Sequence, residues 1–225
     1  MKRRSFVKNT LLGSMIPNEY FKLFSAFNGE YYPELKKHKI IRAERLKFKY
    51  NWPRHVGKNA RRGNHGQYHS DDAFKLYTDQ GATGWGLGRE DVSDEELLQL
   101  EGKFVSELIS PEFGINEELN IYLDLALHDL MGVILNKPVY QLIGNNGKKN
   151  TSIYSGMIYF DELVYQGKEG GIDKILENCS WDIEYGYQQL KIKIGRSGKW
   201  YSHADGMKMD IEVIKQINNA FPNTT

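Results

Sequence analysis

The segment Gln189-Leu190-Lys191-Ile192-Lys193-Ile194-Gly195 places two lysines one residue apart among aliphatic neighbours. In an extended strand successive side chains point to opposite faces, so Leu190, Ile192 and Ile194 share one side and Gln189, Lys191 and Lys193 the other. Two readings follow. On an exposed sheet this is an amphipathic strand with a solvated face, which asks for no chemistry. In a closed parallel barrel both faces of a strand are covered, and inward lysines are partly desolvated. Burial disfavours the ammonium form, a second cation close by disfavours it further, and the amine becomes a usable base near neutral pH.

The elements around the lysine strand decide between these readings. Residues 151–160 are strand-like, and residues 161–179 form a helical region loosened by Gly167, Gly170 and Gly171. The lysine strand spans 188–194, and a helix over 205–221 is predicted from Met209, Val213, Ile214 and Ile217. The order β-α-β-α opens a β/α barrel, which two units cannot close.

Upstream, residues 40–50 alternate as a strand that Pro53 should end, and residues 52–70 read as a long polar loop with His55, His65, His69, Arg61 and Arg62. The histidine spacing fits no helix that would gather them round a metal. Arg and His on such a loop suit an anionic substrate, although a merely solvated loop fits as well. Residues 73–78 and 83–88 read as a hairpin turning at Asp79-Gln80-Gly81, which with 40–50 makes a three-stranded antiparallel sheet.

Ser93-Asp94-Glu95-Glu96 is a capping box, and Leu97, Leu100, Phe104 and Leu108 continue it at helix spacing until Pro111. Asn116 should cap a second helix through about residue 135. That helix is apolar enough to be buried round most of its circumference. Its Asp124, His128 and Asp129 are better read as partners for neighbouring backbone than as catalysts. The polar linker 145–150 marks a boundary. The organisation read is a tail over 1–38, an α+β domain over 39–146 and the start of a barrel over 147–225.

The composition, 40% apolar and 26% charged, is that of an ordinary globular chain. Its net charge of +1 hides a division: residues 1–66 carry 16 Lys/Arg against 4 Asp/Glu, and residues 67–225 carry 14 against 25. No nucleic-acid recognition motif accompanies the basic part, which argues against a nucleic-acid partner. Lys2-Arg3-Arg4-Ser5-Phe6-Val7-Lys8 resembles a twin-arginine export signal, implying a periplasmic or exported protein; a disordered basic tail on a cytoplasmic protein is the alternative. No run reaches the ~20 apolar residues of a membrane span. The single Cys179 excludes an internal disulfide and should serve as a small apolar residue.

Three segments in this order resemble the enolase superfamily, in its mandelate racemase and muconate-lactonising branch. Ala126-Leu127-His128-Asp129-Leu130-Met131-Gly132 running into Pro138-Val139-Tyr140-Gln141-Leu142-Ile143-Gly144 is similar to the end of that family's capping domain. Lys191-Ile192-Lys193-Ile194-Gly195 is similar to its Lys-x-Lys strand, and Asp210-Ile211-Glu212-Val213-Ile214-Lys215 to the helix that follows. The resemblance implies an α+β capping domain followed by the first two units of an incomplete (β/α) barrel. It also implies abstraction of the proton α to a carboxylate, by a racemase, epimerase or acid-sugar dehydratase, on a small carboxylate or acid-sugar substrate with Mg²⁺.

Carried over residue by residue, Lys193 would be the base and Lys191 its neighbour, with Arg62, His65 and Tyr68 as substrate contacts. The family's Mg²⁺ ligands would lie on later strands; Asp205, Asp210 and Glu212 do not replace them, so this chain alone is expected to be inactive. An alternative is a non-catalytic module that binds a carboxylate ligand or a partner. A homo-oligomer is compatible with this reading.

Overall fold

The computed structural model describes residues 32–144, 147, 148, 150–163 and 170–223. The twin-arginine-like segment and Gly167 lie outside the described residues.

Strands β1 (Ile40–Val56), β2 (Gly66–Thr78) and β3 (Thr83–Leu87) form a sheet in that order. β2 and β3 are antiparallel, with Ala73 opposite Leu87 and Tyr77 opposite Thr83. Gly81 at φ 82° makes the turn between them, a left-handed conformation that a side chain would disfavour. β1 runs through Pro53 instead of ending there. It is an edge strand, where a residue lacking an N–H need not cost a ladder bond. The polar loop is correspondingly shorter than its composition suggests and spans residues 57–65.

The capping box forms at the start of α1 (Asp94–Leu98): Glu96 N donates to Ser93 Oγ at 3.1 Å, and Ser93 N donates to Glu96 Oε2 at 2.7 Å. The helix stops well before Leu108, because Gly102 takes φ 82°, which a right-handed helix cannot contain. A new turn, α2 (Val105–Leu108), starts after Phe104, and a small antiparallel pair follows, β4 (Ile109–Ser110) with β5 (Gly114–Ile115).

Asn116 does not cap the next helix. Asn120 does so locally, accepting from Tyr122 N at 3.2 Å, and a 3₁₀ turn (Ile121–Leu123) leads into α3 (Asp124–Ile134). The burial of α3 is also one-sided. Ala126, Leu127, Leu130 and Met131 enter the core while Leu125 and Val133 are exposed.

β3 and α3 approach closely because β3 carries glycines. A Cβ on Gly84 would stand 2.4 Å from Leu130 N, and one on Gly86 2.5 Å from Ala126 N. Asp129 Oδ2 accepts from Trp85 N at 2.8 Å, and His128 Nδ1 lies 3.0 Å from Asp124 O, so both polar side chains serve backbone. Asn136 at φ 51° ends this run before the short α4 (Val139–Leu142).

The remaining elements alternate: β6 (Ser155–Ile158), α5 (Gly171–Glu184), β7 (Leu190–Ile192) and α6 (His203–Ala220). β6 and β7 are parallel, with Ser155 opposite Leu190 and Ile158 opposite Ile192. Ile158, Ile175, Cys179, Val213 and Ile217 form their core, with Leu190 and Ile192 against it. Burial, and then the nearby Asp182 carboxylate, push the Cys179 thiol up to about 12, where it behaves as an apolar group.

The chain divides into two compact units, Met1–Phe48 with Asp71–Gly147 and Lys49–Ser70 with Lys148–Thr225. Loop 57–65 therefore groups with the β-α-β-α part.

Candidate functional site

The lysine strand is held in place by backbone before any side chain acts. Lys193 N donates to Ile158 O at 3.0 Å, which extends the parallel pairing one step past β7. Each lysine then covers a different tyrosine flanking β6, Tyr154 or Tyr159. Lys191 Nζ lies 5.4 Å from the Tyr154 ring centroid, and Lys193 Nζ lies 5.4 Å from that of Tyr159. An ammonium over a ring face is attracted by the ring quadrupole, by about 0.5–1 kcal/mol where water has access.

The two lysines are not equally sheltered. Lys193 is half-buried, whereas Lys191 is exposed, contrary to the expectation that both would be desolvated. Among the described residues β7 pairs with β6 alone.

The loop supplies the opposite wall. The His65 ring meets Tyr159 edge-on, with centroids 4.9 Å apart, so one phenol ring contacts both the imidazole and the Lys193 ammonium. His65 Nε2 is 3.1 Å from Asn59 Nδ2. Burial pushes the His65 imidazole below its ordinary value, and the charges of Arg62, His69 and Lys193 push the same way, which favours a neutral ring at pH 7. A neutral ring leaves Lys193 free of a like charge on the far side of Tyr159.

Of the sequence-derived residues, then, Lys193 and His65 come together. Arg62 is exposed on the same loop, within electrostatic reach of His65. Tyr68 is 79% exposed on β2 and does not join the cluster.

Beneath Lys193 sits a buried ionic cluster that sequence reasoning missed. Arg196 has no exposed surface. Its Nε and Nη2 donate to the two Glu162 oxygens at 2.7 and 3.1 Å, and its Nη1 donates to Asp210 Oδ1 at 2.7 Å and to Lys193 O at 3.2 Å. Asp210 Oδ2 accepts from Gly195 N at 2.9 Å. One guanidinium thus fixes the chain where it leaves the lysine strand. A second buried pair, Arg54 with Asp182 at 2.9 Å, holds β1 to α5, and Arg54 Nη1 reaches Met157 O at 3.0 Å. Tyr159, Asn59, Trp200, Arg196 and Glu162 were not flagged from sequence. A buried Arg among glycine and serine, with Asp210 about two helix turns into α6, gave no periodic signal.

Among the described residues no group of three or more His, Cys, Asp or Glu could hold a metal ion. Glu162 and Asp210 are spent on Arg196, Asp205 Oδ2 bonds the Ser202 hydroxyl at 2.7 Å, and Glu212 accepts from Gln216 at 2.7 Å. Magnesium needs hard oxygen ligands that converge, and these do not. The donor set of the described residues does not fit that ion.

No family model matches the chain. Over 94 residues it is 29% identical to an arabinonate dehydratase of Saccharolobus solfataricus, covering 42% of this chain and 21% of that protein. A galacturonate dehydratase of a Geobacillus species, complexed with magnesium, superposes with a TM-score of 0.69 at 25% identity, covering 82% of this chain and 49% of that one. A mandelate racemase/muconate lactonizing protein from the same genus, complexed with magnesium and tartrate, matches with the same TM-score, identity and coverage, 0.69, 25%, 82% and 49%.

In fold, and at 25% identity in sequence, the chain is similar to structures of the enolase superfamily's mandelate racemase/muconate lactonizing branch. Its three-stranded sheet and helices correspond to that fold's capping domain, and β6 to α6 to the opening of its barrel, with the sheet unclosed. The chain spans about half the length of the solved structures it matches, 49% of each, and 21% of the curated relative. No described helix is long and apolar enough to cross a membrane.

Proposed function

We propose that this chain is the capping-domain and first-barrel portion of an enzyme that removes the proton α to the carboxylate of an acid sugar, leading to loss of water or epimerisation. The observation that carries this reading is the placement of Lys193. It is half-buried at the C-terminal end of a parallel strand, facing a loop that presents neutral His65 and cationic Arg62. Active sites of barrels of this kind lie at that end of the strands. The curated relative and the solved structures named above support the acid-sugar class, since two of them are named as dehydratases of arabinonate and galacturonate.

In this reading Lys193 takes the α-proton. Tyr159 backs the ammonium that results through its ring face, and Arg62 with Lys191 binds the substrate carboxylate. The two Geobacillus structures are complexed with magnesium, an ion that the described residues of this chain do not fit, so the roles of Lys193, Tyr159, Arg62 and Lys191 stand on their own geometry. The second domain read from sequence, residues 147–225, takes loop 57–65 with it in this proposal. The twin-arginine-like segment is proposed to direct export.

The competing reading is a carboxylate-binding module without turnover, in which Lys191 and Arg62 bind an anion and Lys193 has no base role; the exposure of Lys191 and Arg62 favours it. The two are separated by incubating the complete gene product with a panel of aldonates and uronates in D₂O. Loss of the α-hydrogen signal by NMR is the outcome expected of the enzyme, and binding without any exchange is the outcome that would remove it.

A further inference from the structure

Loop 57–65 is tied down at several points, and the strongest tie comes from outside it. Its own closure is modest. His65 N donates to Gly57 O at 3.2 Å, and Asn59 Oδ1 accepts from the N–H groups of Arg61 and Arg62 at 2.9 and 2.7 Å. At its start, Phe160 N donates to Lys58 O at 2.9 Å. The segment between β7 and α6 then grips it from one side. Trp200 Nε1 donates to Asn59 O at 2.8 Å, and Lys199 Nζ donates to Arg61 O at 2.8 Å.

The indole is also a charge platform. Lys58 Nζ lies 4.5 Å and Lys199 Nζ 4.8 Å from its ring centroid. A half-buried tryptophan whose N–H meets a backbone carbonyl fixes a rigid group at small entropic cost, because the side chain has only two torsions to lose. The bond lands on the backbone of Asn59, the residue whose side-chain Nδ2 meets His65 and whose side-chain Oδ1 accepts from the N–H groups of Arg61 and Arg62.

We infer that Trp200, assisted by Lys199, is a positioning residue of the site: it latches loop 57–65 through Asn59 and so fixes where His65 and Arg62 stand relative to Lys193. The consequence for function rests on the proton-abstraction reading above, but the latch itself does not. It makes the loop a preformed wall for the substrate rather than one assembled on binding, so its loss should raise KM while leaving the proton-transfer step largely intact.

The test uses Trp200→Phe, which keeps an aromatic ring beside both lysines and removes only the N–H donor. Amide hydrogen exchange followed by mass spectrometry should show residues 57–65 exchanging roughly fivefold to tenfold faster, the equivalent of one hydrogen bond, with α5 and α6 unchanged. The His65 imidazole, followed by NMR, should move up toward its ordinary value as the loop frees it from burial. Lys199→Met should produce a smaller change confined to the same segment. Unchanged exchange of residues 57–65 in both variants would overturn the latch, as would uniform acceleration through α5 and α6, which would make Trp200 a core support. Because neither readout needs turnover, a failure of the base assignment leaves this result standing and the two are told apart.

Discussion

Arg196 shows how a single side chain can set the geometry of a neighbour it does not resemble chemically. It has no exposed surface and is paired with Glu162 and Asp210, both at 2.7 Å. A buried pair of this kind adds little net stability against an apolar replacement of the whole cluster, but removing one partner strands the others. Arg196→Leu is therefore expected to cost about 3–5 kcal/mol in denaturant unfolding, since it leaves a buried Glu162 carboxylate without its cation. Asp161 is the opposite case. Burial pushes its carboxyl above the ordinary value, only partly offset by the amide of Tyr159 at 3.2 Å. The folded state thus holds this proton more tightly than the unfolded state. Its contribution is full below the ordinary Asp value and is lost as pH rises through the raised folded value. Asp161→Asn should accordingly flatten that slope, so that thermal melts at pH 4 and pH 7 differ less in the variant than in the parent.

At the scale of elements, the contacts that matter most are those a glycine permits. Gly86 lets β3 lie against α3, where a Cβ would come within 2.5 Å of Ala126 N and 2.6 Å of Leu125 C. Neither backbone atom can move aside cheaply, so Gly86→Ala should cost at least about 1–3 kcal/mol, measured by urea unfolding. Elements such as these were partly legible in the sequence. The capping box at Ser93, the turn at Gly81 and the β-α-β-α order are written in local residue types and periods, and the structure forms all three. The run from Leu97 to Leu108 misled because helix spacing persists across Gly102, and spacing does not record φ. Pro53 misled because a proline ends a central strand but is tolerated on an edge, and edge position is decided by the whole sheet. Within the site, the lysines could be read from alternation, while Tyr159, Trp200 and Arg196 could not. Their partners lie on distant segments, and nothing periodic marks them.

At the scale of the molecule, the two units are unequally built. The first has a core of sixteen buried apolar residues among those described, from Leu35 to Met131, while the second has five, Ile158, Ile175, Cys179, Val213 and Ile217. In the second unit β6 and β7 form a two-stranded sheet among the described residues, with Ile153 and Ile194 exposed beside them. Native-state hydrogen exchange of the 225-residue chain should therefore show β6, β7 and α6 opening at lower free energy than β2, β3 and α3; equal protection throughout would contradict this. The base role proposed for Lys193 depends on that second unit staying folded, so stability and chemistry must be measured together. The most direct test follows α-hydrogen exchange of an acid sugar in D₂O, comparing the complete gene product with its Lys193→Ala variant, once circular dichroism shows both to be folded. The account expects exchange in the parent and a loss of at least about 10²–10⁴-fold in the variant. Exchange at the parental rate in folded Lys193→Ala would contradict it.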